Sequence, residues 1–216
     1  MKEQVNVVYR GGQGEIAEKK SRFICSVHAV NTEDEAIAFI EKMRKQYWDA
    51  KHNCFAYVIG ERQQIQRFSD DGEPSGTAGK PMLDVLLGKQ LCNAVAVVTR
   101  YFGGTLLGTG GLVRAYSKSV QAGLKESIIF EKCCGKQVSI STDYNGIGKL
   151  QYIAATMELH TLDTEYTDKV VVKLLVPDDK LNEMDKKVTE ATSGKAKIEI
   201  EATVSYGIHN GEIILL

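Results

Sequence analysis

The sequence lacks an apolar run close to the roughly 18 residues that a membrane helix needs, and it has only three prolines in 216 residues. Its first residues, MKEQVNVVYRGGQGE, contain no apolar signal-peptide core. The five cysteines are an odd number and form no CxxC pair, which argues against a zinc ribbon, a thioredoxin-type site or a disulfide scaffold. We therefore expect a reduced, cytoplasmic protein that does not enter a membrane.

What the sequence does contain is an ordinary globular composition with an uneven charge. Hydrophobic residues make up 43% and charged residues 25%, which excludes a disordered chain. Residues 1–132 carry 18 Lys and Arg against 15 Asp and Glu, whereas residues 133–216 carry 9 against 13. This difference predicts two units with different surfaces, of which only the first is suited to binding phosphate.

The hydrophobic pattern of residues 1–132 predicts a mixture of strands and helices. A capping box that begins at Thr32 and includes Glu35 marks the start of the first helix. A loop from Ser69 to Gly79 precedes a short second helix. The predicted strands are residues 4–10, 21–30, 53–60, 63–68, 94–101 and 127–132, and the predicted helices follow residue 32 and span about 81–87 and 111–126.

The remainder of the chain predicts a ferredoxin-like domain. After a short junction, Cys133-Cys134-Gly135, the strand and helix periodicities follow one another in the order βαββαβ. The fold class is therefore predicted as α+β, with domains at residues 1–132 and 136–216. The second domain carries no catalytic constellation that we can identify, and its architecture hosts many functions.

Glycine is concentrated in one part of the sequence. Nine of the 20 glycines lie between Gly72 and Gly111, and five lie within Gly103–Gly111, between a predicted buried strand and a helix. Free N–H groups at a helix N-terminus, together with Arg side chains, form an anion site. We therefore predict a surface that binds anions or nucleic acid, built from Arg22, Lys80, Arg100, Tyr101, Gly103, Gly104, Gly108, Gly110, Gly111, Arg114 and Lys118.

The named phosphate-binding motifs do not match this stretch. No Lys-Ser or Lys-Thr follows Gly108, so there is no P-loop, and Val113 stands where a dinucleotide fingerprint needs glycine. A tight strand–helix turn packed against a neighbour accounts for the glycines equally well.

A second cluster in the sequence consists of acidic residues. Asp70, Asp71 and Glu73 place three carboxylates in four residues. They could hold Mg²⁺ or act as a base, form a solvated turn, or pair with arginines such as Arg100 or Arg114 and rigidify the loop. We predict no catalytic residue and no metal site, because the sequence has no GxSxG frame, no HExxH motif and no Cys/His ligand spacing.

Three segments carry a resemblance to a known family: Lys20–Phe23 (KSRF), Phe68–Gly79 (FSDDGEPSGTAG) and Arg100–Leu112 (RYFGGTLLGTGGL). Together they resemble the YigZ/IMPACT family, and the resemblance covers the full length of the chain. It implies that the first domain has the fold of the second domain of small-subunit ribosomal protein five. It also implies that the second domain is similar to the last domain of elongation factor G.

The resemblance leaves the activity open. Eukaryotic relatives bind a regulator of a translation-controlling kinase through an extra N-terminal domain, and since we find no candidate for it in this sequence, we do not expect that partnership. Two hypotheses follow.

The first is a non-catalytic, translation-associated protein that binds RNA or the ribosome, with no cofactor and with a protein contact at an edge of the second domain's four-stranded sheet. The alternative is an enzyme or sensor for a small phosphorylated ligand at the same loop, with or without Mg²⁺.

Overall fold

The computed structural model describes residues 5–209 and 211–216. The chain divides into two compact units, Met1–Glu131 and Lys132–Leu216, which we call the first and the second domain. Both domains combine helices with sheets, so the predicted two-domain α+β class is confirmed. No helix among the described residues is long and apolar enough to cross a membrane.

The first domain is built on a five-stranded antiparallel sheet in the order β2-β3-β7-β4-β5. A smaller sheet places β1 between β6 and β8. The elements are β1 (Asn6–Arg10), β2 (Gln13–Glu18), β3 (Ser21–Ala29), α1 (Glu33–Gln46), β4 (His52–Ile59), β5 (Ile65–Ser69), α2 (Gly79–Gly88), β6 (Leu91–Cys92), β7 (Ala94–Tyr101), α3 (Thr109–Lys125) and β8 (Ile128–Glu131).

The central strand β7 separates two hydrophobic cores, because successive side chains of a strand point to opposite faces of the sheet. Ala96 and Val98 belong to the core that α2 and α3 cover. Val95 and Val97 belong to a second core beneath α1. A residue's position in β7 therefore decides which helices its side chain can meet.

The first helix begins as the sequence predicts. Thr32 Oγ1 accepts a hydrogen bond from the Glu35 N–H at 3.2 Å. The Glu35 carboxylate accepts the N–H of Asn31 at 2.6 Å, one residue before the reciprocal partner of a regular capping box. The buried residues Ala36 and Ile40 then fix α1 against the sheet.

Helix α3 lies directly against the backbone of the sheet. A Cβ atom at Gly14 of β2 would come within 2.4 Å of the Ala122 carbonyl carbon, and one at Gly123 would come within 2.7 Å of the Cys25 Sγ. No larger side chain fits at either contact. These glycines therefore hold α3, and with it the loop that precedes the helix, in a fixed position on the sheet.

The second domain has the predicted βαββαβ order and one further strand. Its antiparallel sheet has the order β10-β11-β9-β12-β13, with a core of apolar residues from α4, α5 and the sheet. The elements are β9 (Cys133–Thr142), α4 (Ile147–Thr156), β10 (His160–Tyr166), β11 (Val170–Pro177), α5 (Leu181–Thr192), β12 (Lys197–His209) and β13 (Glu212–Leu215).

Two expectations for this domain need correction. The predicted junction Cys133-Cys134-Gly135 is the start of β9, where Cys133 pairs with Tyr206 and Gly135 with Val204. The sheet has five strands rather than four, because β13 forms a hairpin with β12. Strand β13 covers only Tyr206–His209 of β12, so the edges of the sheet are β10 on one side and, on the other, β13 together with the first part of β12.

Candidate anion-binding site

The acidic loop, residues 70–78, joins β5 to α2 and is closed by one carboxylate. Asp70 Oδ1 accepts the N–H groups of Ala78 at 3.0 Å and Gly79 at 2.8 Å, and its Oδ2 accepts the N–H of Gly76 at 2.9 Å. Asp70 therefore satisfies the N–H groups of the N-cap residue Ala78 and of Gly79, the first residue of α2, where Ala78 itself has no capping side chain.

Glu73 of the same loop lies at the centre of a buried polar cluster. Its Oε1 is 2.6 Å from Arg100 Nη1 and accepts the Tyr116 hydroxyl at 2.8 Å, and its side chain is only 3% exposed. The Cys54 Sγ lies 3.3 Å from the Tyr116 hydroxyl oxygen and 3.0 Å from the Asp70 carbonyl oxygen, so two acceptors face its single S–H group. These contacts join the acidic loop to β4, β7 and α3.

The protonation states of this cluster follow from its burial. Burial is the main cause that raises the pKa of the Tyr116 hydroxyl, and the neighbouring Cys54 and Glu73 raise that pKa further. Burial likewise raises the pKa of the Cys54 thiol. Both groups therefore remain protonated at neutral pH and act as hydrogen-bond donors.

Arg100 is a member of this cluster and is not exposed, contrary to the prediction that it binds an anion directly. Its Nη2 donates to Ser21 Oγ at 3.4 Å, and that oxygen also accepts the N–H of Gly103 at 3.2 Å. Its guanidinium lies 5.3 Å from the centre of the Phe23 ring and 5.6 Å from that of Phe102. The Arg100 Nε has no hydrogen-bond partner among the described residues. Arg100 therefore positions the start of the next loop.

Asp71 also serves the structure of the acidic loop. Its Oδ2 accepts the N–H of Asn53 at 2.7 Å, and its Oδ1 lies 3.2 Å from Arg44 Nη2. Within the described part of the chain, no group of three or more His, Cys, Asp or Glu residues is placed to hold a metal ion. Of the three interpretations of these carboxylates, the geometry favours pairing that rigidifies the loop.

The glycine loop, residues 102–108, joins β7 to α3, and part of it faces open space. Gly103 allows a close backbone approach, because a Cβ there would lie 2.0 Å from the carbonyl carbon of Lys20. Gly104 and Gly108 adopt φ values of +82° and +72°, which L side chains rarely adopt. A Cβ at either position would meet nothing within 4 Å, so open space surrounds this part of the loop.

The glycine loop leads into a helix start that no side chain caps. Gly108 is the N-cap of α3, and the first helical hydrogen bond runs from the Leu112 N–H to the Gly108 carbonyl at 3.0 Å. The preceding N–H groups, including that of Gly110, therefore have no partner within the helix. A Cβ at Gly110 would meet only Arg114 Nη1, at 3.6 Å, which places this guanidinium beside the first turn.

Basic side chains continue from this helix start along α2 and α3. A groove of about 470 Å³ lies between the two helices, and a neighbouring groove of about 640 Å³ shares the residues Lys89 and Gln121 with it. Arg114 and Lys118 are exposed beside the groove residues Val113 and Ser117. We call the following exposed residues the basic surface: Lys80, Lys89, Arg114, Lys118 and Lys125.

Most residues of the basic surface form no ion pair with another described residue. Among the described residues its one ion pair joins Lys80 Nζ to Asp84 Oδ1 at 2.5 Å. Lys89 and Lys125 were not among the predicted site residues. Lys89 lies at the C-cap of α2, where only its charge marks it in the sequence, whereas the helical spacing of Lys125 from Arg114 already predicts that both share one face of α3.

Arg22 and Tyr101 lie on the other face of the sheet, beside α1. The strand register pairs Arg22 with Tyr101 and Phe23 with Arg100, and successive residues alternate between faces. The expected convergence of Arg22 with Arg100 beside the glycine loop is therefore not found. Arg22 instead pairs with Glu15 at 2.6 Å, and that hydrogen bond lowers the pKa of the Glu15 carboxyl.

Comparison with known proteins follows the same two-domain division. Residues 19–124 match the model of the Impact N-terminal domain, and residues 140–195 match a domain of unknown function, DUF1949. The IMPACT family member YvyE of Bacillus subtilis is 45% identical over 199 residues, which cover 92% of this chain and 91% of that protein. The IMPACT family member YigZ of Escherichia coli is 35% identical, over 83% of this chain and 89% of that protein.

A solved structure has a similar fold. A crystal structure of an hypothetical protein is 32% identical to this chain and superposes with a TM-score of 0.58, covering 94% of this chain and 99% of that one. The relatives align across both domains, as the resemblance in the three motif segments implies. The chain therefore belongs to the YigZ/IMPACT family.

Proposed function

We propose that the first domain binds RNA through the basic surface and the exposed start of α3, and that the protein acts as a translation-associated regulator rather than an enzyme. The observation that carries the proposal is the row of basic side chains beside an uncapped helix start. Arg114 and Lys118 lie one turn apart on α3, next to the groove residues Val113 and Ser117, and Lys89 and Lys125 line the adjoining groove.

The chemistry of this surface suits phosphate groups. Backbone N–H groups at the start of α3 can donate to phosphate oxygens, and glycine at position 110 leaves them open to approach. The Arg114 guanidinium can donate to the same phosphate as a planar fork. Lys118 and Lys125 extend the positive charge along the helix, as a backbone with repeated phosphates requires.

The shape of the surface also favours a polymer over a metabolite. The two grooves adjoin at Lys89 and Gln121, and RNA is bound on extended surfaces of this kind. The carboxylates that would hold Mg²⁺ or act as a base are already bonded to backbone N–H groups, Arg44 and Arg100. No specific observation therefore favours the small-ligand alternative.

The proposed partner is RNA of the translation apparatus, including the ribosome. Support for this choice comes from the resemblance of the two domains to folds of a ribosomal protein and of elongation factor G. The protein contact proposed for the second domain would use the exposed edge strand β10 or β13.

The proposal is tested by titrating a fluorescently labelled, structured ribosomal RNA fragment with the full chain and following anisotropy. We expect saturable binding that weakens steeply between about 50 mM and 200 mM salt. Arg114→Glu should weaken binding at least tenfold, and Lys186→Glu, a matched charge reversal on an exposed lysine of α5, should leave it unchanged. Binding that is absent at low salt, or that Arg114→Glu leaves intact, contradicts the proposal.

A further inference from the structure

The single tryptophan of the chain is on the surface. Trp48 follows the end of α1 and is 82% exposed. A tryptophan side chain has a large apolar area, and burying it is strongly favourable. The core of the first domain does not use it, so the fold alone gives no reason for a tryptophan at this position.

The residues on either side of Trp48 are bonded to neighbouring elements of the same face. The Tyr101 hydroxyl donates to Asp49 Oδ1 at 2.8 Å, which joins the end of β7 to the residue after Trp48. The Arg22 guanidinium lies 5.9 Å from the centre of the Tyr101 ring. Tyr47, the C-cap of α1, donates its hydroxyl to Gln13 Oε1 at 3.2 Å. We call Arg22, Tyr47, Trp48 and Tyr101 the aromatic patch.

The aromatic patch and the basic surface lie on different faces of the sheet. Tyr101 belongs to the face that packs on α1, whereas Arg100, one residue earlier, points into the cluster beneath α3. An extended ligand could therefore contact the α3 side with one part and the α1 side with another. Each contact can be removed by substitution without touching the other.

Two lysines flank the aromatic patch. Lys45 lies three residues before Trp48 and Lys51 three residues after it, and both are exposed and form no ion pair with any described residue. Two carboxylates are bonded to residues of the patch: that of Asp49 accepts the Tyr101 hydroxyl, and that of Glu15 pairs with Arg22 at 2.6 Å. An exposed indole between two free ammonium groups is complementary to a single-stranded nucleic acid, whose bases stack while its phosphates pair with cations.

We propose that the aromatic patch binds unpaired RNA nucleotides, with bases stacked on Trp48 and Tyr101 and phosphates beside Lys45 and Lys51. The inference rests on the proposed RNA-binding function and deepens it, because it names a single-stranded segment as part of the ligand. Arg22 provides a third flat surface on which a base can stack.

Because the chain has one tryptophan, tryptophan emission excited selectively over that of the nine tyrosines reports on this patch alone. The experiment titrates the full chain with a single-stranded oligouridylate of about 12 nucleotides, a length within the site size of such surfaces, and separately with an RNA duplex of equal length. We expect saturable quenching of Trp48 by the single strand and little quenching by the duplex. Trp48→Ala should weaken binding of the labelled single strand, measured by anisotropy, at least fivefold.

One control variant and one further test variant complete the experiment. Tyr152→Ala removes another exposed ring, on α4, and should leave single-strand binding unchanged. Lys45→Glu should weaken single-strand binding while keeping the tryptophan as a probe. The inference is overturned if the single strand does not quench Trp48. It is also overturned if Trp48→Ala binds the single strand as tightly as the unaltered protein does, or if a protein partner quenches Trp48 to saturation and RNA does not.

The outcomes for the two sites are distinguishable. If Arg114→Glu abolishes binding of structured RNA while Trp48 is never quenched by a single strand, only the inference about the aromatic patch fails. If a single strand quenches Trp48 while Arg114→Glu leaves binding of structured RNA intact, the proposal for the basic surface fails and the aromatic patch stands.

Discussion

The acidic loop and the glycine loop occupy equivalent places in the first domain, yet they differ in how their polar groups are used. Each joins a strand of the same sheet to a helix on the same face, and each is rich in glycine. In the acidic loop, Asp70, Asp71 and Glu73 are all bonded within the domain. In the glycine loop, no side chain caps the helix that follows, and Gly104 and Gly108 face open space.

The polar groups of the acidic loop therefore stabilise the fold, whereas the N–H groups that follow the glycine loop remain available to a ligand. Asp70 does for α2 what an external anion can do for α3, since both supply negative charge to free N–H groups at a helix start. The residue composition of the two segments does not reveal this, because glycine and polar residues are typical of both roles. Whether a loop stabilises the fold or binds a ligand depends on which partners its polar groups already have in the structure.

The largest expected effect is on the buried ion pair of the acidic loop. Arg100→Met leaves the Glu73 carboxylate buried without its cation, and we expect the free energy of unfolding to fall by about 3–5 kcal/mol. Chemical denaturation of the full chain measures it. The double variant Glu73→Gln/Arg100→Met should recover part of this loss, because no buried charge is left unpaired.

Arg114→Met is the matched substitution beside the glycine loop. It removes an exposed guanidinium that forms no ion pair among the described residues, so the free energy of unfolding should change by less than about 0.5 kcal/mol. Equal losses for Arg100→Met and Arg114→Met would remove the distinction between the two loops.

The second effect concerns thiol reactivity beneath the acidic loop. Burial raises the pKa of the Cys54 thiol, so the reactive thiolate is scarce at pH 8, and the thiol is also covered. We expect Cys54 to react with an aromatic disulfide reagent at least a hundredfold more slowly than the exposed Cys134. Mass spectrometry of digested, labelled protein identifies the sites.

The same raised pKa sets a pH dependence. As the pH rises above about 8.5, the ordinary pKa of a thiol, Cys54 ionises in the unfolded chain before it ionises in the folded one. The unfolded state then binds fewer protons, so this contribution to the free energy of unfolding decreases with increasing pH. Cys54→Ala should make the alkaline part of the stability profile flatter, and an unchanged profile would contradict the assignment.

The third effect is on the start of α2. Asp70→Ala removes the acceptor of three backbone N–H groups, and we expect a loss of about 2 kcal/mol in the free energy of unfolding. Asp84→Ala, which removes an exposed carboxylate of the same helix, should cost less than about 1 kcal/mol. Thermal denaturation of both variants makes the comparison, and a larger cost for Asp84→Ala would refute it.

The smallest expected effect on stability is that of Gly110→Ala, which tests whether this glycine serves folding or RNA binding. In Gly110→Ala the new Cβ meets only Arg114 Nη1 at 3.6 Å, so stability should change by less than about 1 kcal/mol and can rise, because alanine favours the helix. The methyl group covers the approach to the free N–H groups, and RNA affinity should fall severalfold in the anisotropy titration. A large loss of stability with full RNA affinity would assign Gly110 a structural role instead.

Much of the fold follows from local patterns in the sequence. The apolar run over residues 94–101 coincides with β7, and the capping residue Thr32 begins α1 as expected, because both signals are local. Strand β2 was not predicted, since Gly14 and two glutamates obscure its alternation and its glycine serves a contact with α3. Strand β13 was missed because its pairing with β12 depends on a short hairpin.

The candidate site was less predictable because it depends on strand register. Arg22 and Arg100 were expected to converge, but their faces are decided by the pairing of β3 with β7, which a single sequence does not contain. The clustering of Gly110 with Arg114 was predictable, because both belong to one helix. The role of Glu73 required knowing that Tyr116 and Arg100 meet it from two other elements.

The salt dependence of RNA binding tests the central claim most directly. The slope of the logarithm of the association constant against the logarithm of salt concentration counts the phosphates that cations neutralise. For Arg114→Gln/Lys118→Gln we predict a slope smaller in magnitude by about 2 than that of the unaltered protein. Lys186→Gln/Lys195→Gln in the second domain should leave the slope unchanged. An equal slope for the unaltered protein and the Arg114/Lys118 variant would contradict the account.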